Sequence, residues 1–165
     1  MKAVKKITYL SICISLALIL SYVESLLPTF PLLAGVKLGL PNIVIIFLLY
    51  KSGWKDAVIV SILRVFLVAL LFGNAYSLAY SIAGAILSLT AMILLKQLTK
   101  LSTITVSVIG GVFHNIGQIL VACFVTTTVE IAYYLPVLIV TGTVAGVIIG
   151  LIGGNLAKKF QNIEL

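Results

Sequence analysis

Apolar runs of transmembrane length recur along this chain, and short lysine clusters separate them. A helix that crosses the hydrocarbon of a bilayer needs about 20 mainly apolar residues. Residues 7–27, 54–72, 75–95, 102–128 and 133–156 each reach that length. As helices they bond their own backbone groups internally, which lipid demands of any exposed segment. Residues 37–50 differ. From Pro41 to Tyr50 the helical stretch spans only roughly 15 Å at 1.5 Å per residue, about half the hydrocarbon thickness. The stretch before it, 28–36, is apolar but carries Pro28, Pro31 and Gly35, which predicts irregular chain dipping into the membrane. Irregular backbone at that depth is tolerated only where protein buries it or a cavity hydrates it. The short second helix therefore points to a cavity.

The composition agrees. The chain has 165 residues, 62% hydrophobic and 9% charged, with a mean hydropathy of +1.28. Soluble domains are typically about 25% charged, so this chain lacks the polar surface for a water-soluble fold. The expectation is an all-α membrane protein, a six-transmembrane-helix bundle forming a single domain over residues 1–165. The net charge of +7 does not indicate nucleic acid, because the lysines lie in clusters between apolar runs: Lys2, Lys5 and Lys6; Lys51 and Lys55; Lys96 and Lys100; Lys158 and Lys159. With six spans these clusters all face one side, which the positive-inside rule makes cytoplasmic. Both termini are then cytoplasmic, in a multi-pass protein of the plasma membrane. The N-terminus has the basic and apolar regions of a signal peptide, but no small-x-small cleavage pattern follows, so it reads as a retained first helix. Cys13 and Cys123 sit in apolar runs and match no metal or redox spacing.

Ionisable side chains inside a bilayer are expensive and are functional by default. Arg64 falls mid-way along the third helix, and Lys37 heads the second. His114 lies mid-way along the fifth, beside Asn115 and Gln118. Glu24 lies near the outer end of the first. Helical spacing puts Ala57, Ser61, Arg64 and Val68 on one face, Tyr76, Tyr80 and Gly84 on another, and Ser107, Gly111, His114, Gln118 and Ala122 on a third. The start of the second helix presents free N–H groups and partial positive charge, to which Lys37 and Arg64 add two full charges. An outward-opening anion site is one reading, and a glycine-rich helix start without a ligand is the other. Likewise Arg64 can pair internally with Glu24, Lys37 can snorkel to the interface, and the polar residues of the fifth helix can bond neighbouring helices. Under the site reading, substrate is bound by Lys37, Asn42, Arg64, Asn74, Tyr80, His114, Asn115 and Gln118, with Tyr76 and Tyr80 as an aromatic wall. No catalytic residue, metal or cofactor is expected. The glycines Gly142, Gly146, Gly150 and Gly154 read as a packing surface for close helix approach.

Three stretches together resemble a known family: Gly35-Val36-Lys37-Leu38-Gly39-Leu40-Pro41-Asn42, then Arg64 with Phe72-Gly73-Asn74, then Gly110-Gly111-Val112-Phe113-His114-Asn115-Ile116-Gly117-Gln118. They are similar to the Gx transporter family, also labelled heptaprenyl diphosphate synthase component I. That family resembles the substrate-binding S components of energy-coupling-factor (ECF) transporters. The resemblance implies a six-helix bundle that captures a vitamin, isoprenoid or related nutrient from outside. It also implies docking onto a transmembrane scaffold that carries separate ATPase subunits. The docking contact in such proteins is a small-xxx-small pair in the first helix, usually alanines; Ser11 and Ser15 stand here. The second label implies a different role, in prenyl chain elongation. That chemistry needs Mg²⁺ held by carboxylates, and the four acidic residues, Glu24, Asp56, Glu130 and Glu164, include no neighbouring pair. There is also no Walker phosphate loop. The expectation is a non-enzymatic substrate-binding subunit, with a non-catalytic accessory component of heptaprenyl diphosphate or quinone biosynthesis as the alternative.

Overall fold

In the computed structural model, residues 2–26 and 39–162 are described, and all statements about structure refer to these. Six α-helices follow one another: α1 (Lys2–Leu26), α2 (Asn42–Lys51), α3 (Trp54–Phe72), α4 (Ala75–Leu98), α5 (Thr103–Thr126) and α6 (Leu135–Lys159). A 3-10 segment, Val129–Tyr134, leads into α6, an element that no apolar periodicity marks. No strand occurs among the described residues. The helix ends lie within three residues of those read from the apolar runs, except that α1 begins five residues earlier and α2 five residues later, at Asn42 and not at Lys37.

Four stretches are long and apolar enough to cross a membrane: Ala3–Leu26, Ala75–Leu98, Thr103–Thr126 and Val129–Lys159. This is fewer than the five long spans expected, and the difference lies in α3. Its 19 residues reach roughly 28 Å, but Lys55, Asp56 and Arg64 dilute its apolar character. The ten residues of α2 are too few to cross alone.

The helices α2, α3, α4, α5 and α6 close a ring in which each packs on two others, in the order α2–α3–α4–α5–α6 and back to α2. Helix α1 stands outside that ring, against α3 and more lightly against α2. Helix α2 is enclosed almost all round. Its Val44, Ile45, Ile46, Leu48 and Leu49 are buried and form the centre of the apolar core, with Ala17 of α1, Val60 of α3, Val106 of α5 and Ile149 of α6. A helix apolar on every face belongs in such an interior. The outward faces are apolar too: Ile59, Ile62 and Phe66 on α3, Leu120 and Phe124 on α5, and Val140, Val144 and Ile148 on α6 are exposed. Water would not tolerate such a surface, and lipid favours it.

One end of the bundle gathers the lysine clusters. Lys6 bridges Asp56 at 2.9 Å, and Ser52 Oγ donates to Tyr9 Oη at 3.2 Å. Lys51 Nζ donates to the Gln161 carbonyl at 3.0 Å. Lys96 donates to the Leu49 carbonyl, and its ammonium lies 4.9 Å from the centre of the Tyr50 ring. The start of α1, the end of α2, the starts of α3 and α5, and the ends of α4 and α6 thus share this lysine-rich end. Gly53, at φ 103°, makes the tight reversal from α2 into α3. A residue with a Cβ is strained there.

Glycines set the spacing on the α4–α5–α6 side. A Cβ on Gly111 would lie 2.5 Å from the Gly142 carbonyl oxygen, and one on Gly146 would lie 2.5 Å from Val108 Cα. On Gly150 it would meet Ile104 Cα at 2.7 Å, and on Gly154 the Thr103 side chain at 3.1 Å. The ladder read as a packing surface is one: it presses α6 onto α5 backbone to backbone. Gly153, on the adjacent face, admits Ile46 of α2.

Candidate functional site

Two groups of polar residues form inside the bundle. The first surrounds the start of α2. Pro41 occupies the N-cap position without a side-chain capping bond; the leading N–H groups of α2 are not free as the sequence suggested, because those of Asn42, Ile43 and Val44 donate to the carbonyls of Gly39, Leu40 and Pro41 in a tight turn. The turn before it is made by Gly39 at φ 74°, a conformation that suits glycine. Here Arg64 of α3 donates from an Nη to Asn42 Oδ1 at 3.3 Å, near the outer limit for such a bond. The Gly39 N–H donates to a carboxylate oxygen of Glu24 on α1. Glu24 also interacts electrostatically with Arg64. Ile149 of α6 closes against Gly39 from the other side.

Arg64 is the most telling member. A guanidinium carries five N–H donors. The Arg64 Nε is fully enclosed and has no hydrogen-bond partner among the described residues. A buried donor left unpaired is destabilising, and one inside a membrane bundle is a functional marker by default. The internal pairing with Glu24 weighed from the sequence is seen only as proximity, with the Glu24 charge acting on Arg64. It leaves donors of the guanidinium over.

The second group lies between α4, α5 and α6. The His114 ring packs over Gly84 of α4: a Cβ there would sit 2.8 Å from His114 Cε1. Asn115 is buried and donates from Nδ2 to the Leu138 carbonyl of α6 at 2.6 Å. That is the interhelical bonding weighed as the alternative to a binding role. Gln118 and Tyr80 are half-buried. Tyr76 is exposed.

Depth links the two groups. Counted from the lysine-rich ends of their helices, Asn42, Arg64 and His114 lie roughly 14, 15 and 17 Å up at 1.5 Å per residue. All three sit near the middle of the span, on helices of the same ring.

Asn74 stands apart. It is the N-cap of α4, accepting from the Ser77 N–H at 2.8 Å while Ser77 Oγ accepts from the Asn74 N–H at 3.0 Å. This reciprocal pair satisfies two otherwise unpaired donors of the helix start. It lies exposed at the end opposite the lysines. Lys37 and the stretch 28–36 fall outside the described residues. Ser11 and Ser15, proposed from the sequence as a docking pair, are both exposed on α1. Two members of the site escaped sequence reasoning: the Gly39 N–H, as a donor to Glu24, and Gly84, as the seat of His114. The alignment of Tyr76, Tyr80 and Gly84 on one face was the available signal for the second.

The two remaining described acids are spread apart. Asp56 is engaged with Lys6 at the lysine-rich end, and Glu130 lies in the exposed 3-10 segment.

Comparisons with curated proteins and with solved structures give no match. The profile of the family described as heptaprenyl diphosphate synthase component I matches residues 13–156, and the chain belongs to that family.

Proposed function

We propose that this membrane protein is a substrate-binding subunit for a small molecule with an anionic head, working in transport with energy supplied by separate ATPase subunits. One observation carries the reading: Arg64, whose enclosed Nε has no hydrogen-bond partner among the described residues, meets Asn42 at the start of the half-length helix α2. A guanidinium beside a helix N-terminus favours phosphate or carboxylate. Mostly apolar walls with a few placed polar groups are what small-molecule sites have. In this reading Arg64, Asn42 and Lys37 hold the head. His114, Gln118 and Tyr80 line the wall, Asn115 braces it, and Asn74 and Tyr76 stand at the mouth. All six helices take part in the membrane bundle. The lysine-rich end faces the cytoplasm.

The family's name favours a second reading, a non-catalytic membrane component that presents or retains a prenyl diphosphate for a partner synthase. Its ligand has the same chemistry, a diphosphate head on an apolar tail. The four acidic residues of the chain offer no paired carboxylates for Mg²⁺, so chain elongation itself falls to a partner in this reading.

Affinity purification from native membranes, with mass spectrometry of bound proteins and small molecules, separates the two. Transport predicts a scaffold and ATPases; the second reading predicts a prenyltransferase subunit. Recovery of neither partner, together with no anionic small molecule, contradicts both.

A further inference from the structure

A donor that an incoming anion would meet beside the start of α2 is already engaged by a carboxylate of the chain itself. The Gly39 N–H donates to Glu24, fifteen residues away and on another helix. Arg64, which bonds Asn42 across the same helix start, feels the charge of Glu24. A guanidinium inside a membrane bundle needs a countercharge, since an isolated ion there is strongly disfavoured. Glu24 supplies it. If a phosphate or carboxylate arrived while Glu24 stayed, two anions would crowd the same guanidinium and repel.

We infer that Glu24 is a built-in competitor for the anion position: it holds the start of α2 and balances Arg64 until an incoming anionic head takes over both roles. This rests on the anion-site reading proposed above and adds to it an autoinhibitory contact. Exchange of one anion for another keeps the interior balanced at each stage, so Arg64 is never left without a countercharge.

The fold gives the exchange a mechanical consequence. Helix α1 lies outside the ring, packed among the described residues mainly on α3 and α2, and its far face is exposed at Ile12, Leu16 and Ile19. At the lysine-rich end the bridge from Lys6 to Asp56 and the bond between Ser52 and Tyr9 pin it. At the other end it is held by Glu24 and by the edge-on contact of Tyr22 with Phe72, at 5.9 Å between ring centres. Release of Glu24 removes the polar half of that hold. The outer end of α1 is then freer to swing while its lysine-rich end stays fixed.

The test is binding of farnesyl diphosphate, with farnesol as the uncharged control, to the full chain in lipid nanodiscs. Glu24→Gln removes the competing charge and keeps the side chain's size. It is expected to tighten farnesyl diphosphate binding about tenfold or more, the scale of one charged hydrogen bond, and to leave farnesol unchanged. Arg64→Ala is expected to lose farnesyl diphosphate binding. Should Glu24→Gln fail to fold, Glu24→Asp decides, because it withdraws the carboxylate by one methylene and is expected to tighten binding by a smaller factor. Unchanged or weaker binding in the deciding Glu24 variant, with Arg64→Ala still losing it, overturns the competitor role and leaves the anion site standing. Binding by neither the wild type nor any Glu24 variant overturns both.

Discussion

The two sides of this bundle are held together by different chemistry. On the α4–α5–α6 side, glycines let backbones touch: Gly111 against Gly142, Gly146 against Val108, Gly117 against the Ala83 carbonyl. Within the span that side has no Lys, Arg, Asp or Glu, and its buried Asn115 bonds across helices to the Leu138 carbonyl. On the α1–α2–α3 side, a half-length helix leaves its N-terminus inside the bundle, and Glu24, Asn42 and Arg64 collect there. One side is closed by van der Waals contact that any added atom disrupts. The other shares the apolar core around α2 and adds exchangeable polar contacts where α2 begins. A protein that must hold its shape while admitting a ligand benefits from this division.

The largest effect expected concerns the packed side. Gly146→Leu places a branched side chain where a Cβ already meets Val108 Cα at 2.5 Å. Overpacking of a close interior typically costs about 1–3 kcal/mol, and the neighbour here is backbone, so the loss should lie at the upper end or beyond. Thermal unfolding in detergent should show a marked drop or little folded protein. Near-wild-type stability would mean that α5 and α6 can separate freely, and the contrast between the two sides would fail.

Next in size is Arg64→Ala. Loss of a hydrogen bond to a charged group costs about 1.5–3 kcal/mol of ligand binding, tenfold or more in affinity, while the melting temperature should fall only modestly, because Glu24 loses the cation it balances but keeps its bond from the Gly39 N–H. If Arg64→Ala instead unfolds the bundle, and joint replacement of Glu24 and Arg64 restores it with full ligand affinity, the charged side is a structural ion pair.

A smaller change is expected from Asn115→Ala. The bond to the Leu138 carbonyl should contribute roughly 0.6–1.5 kcal/mol of stability, with ligand affinity reduced less than in Arg64→Ala. An affinity loss equal to that of Arg64→Ala would move Asn115 from bracing the wall to holding the ligand. The smallest effect on the isolated protein should come from Ser11→Phe with Ser15→Phe. Both positions are exposed, so stability and ligand affinity should stay as they are, while copurification of a scaffold subunit should fall. Unchanged copurification would place any docking surface elsewhere.

Much of this was legible in the sequence because lipid imposes simple rules. Apolar run length located the helices, and Pro41 with Lys51 fixed the short α2. The four-residue spacing of glycines in α6 announced close packing before a partner was known. Faces were legible too: Ala57, Ser61 and Arg64 point inward, while Phe66 and Leu70 point outward. What could not be read were contacts between residues far apart in the chain. Glu24 and Gly39 are separated by a stretch whose course no periodicity describes. Lys96 meets the Leu49 carbonyl only because α4 ends beside the end of α2. The partner of Asn115 is a backbone carbonyl, which carries no sequence signal at all. The apolar count of α3 was overestimated because Lys55 and Asp56 sit within its first turn.

The central claim is that Arg64 reads a charged head, and the most direct measurement is the affinity of wild type and Arg64→Ala for farnesyl diphosphate and for farnesol, side by side. The account predicts that the substitution weakens the diphosphate about tenfold or more and leaves the alcohol unaffected. Equal affinities of the two proteins for the diphosphate, at unchanged thermal stability, would contradict it.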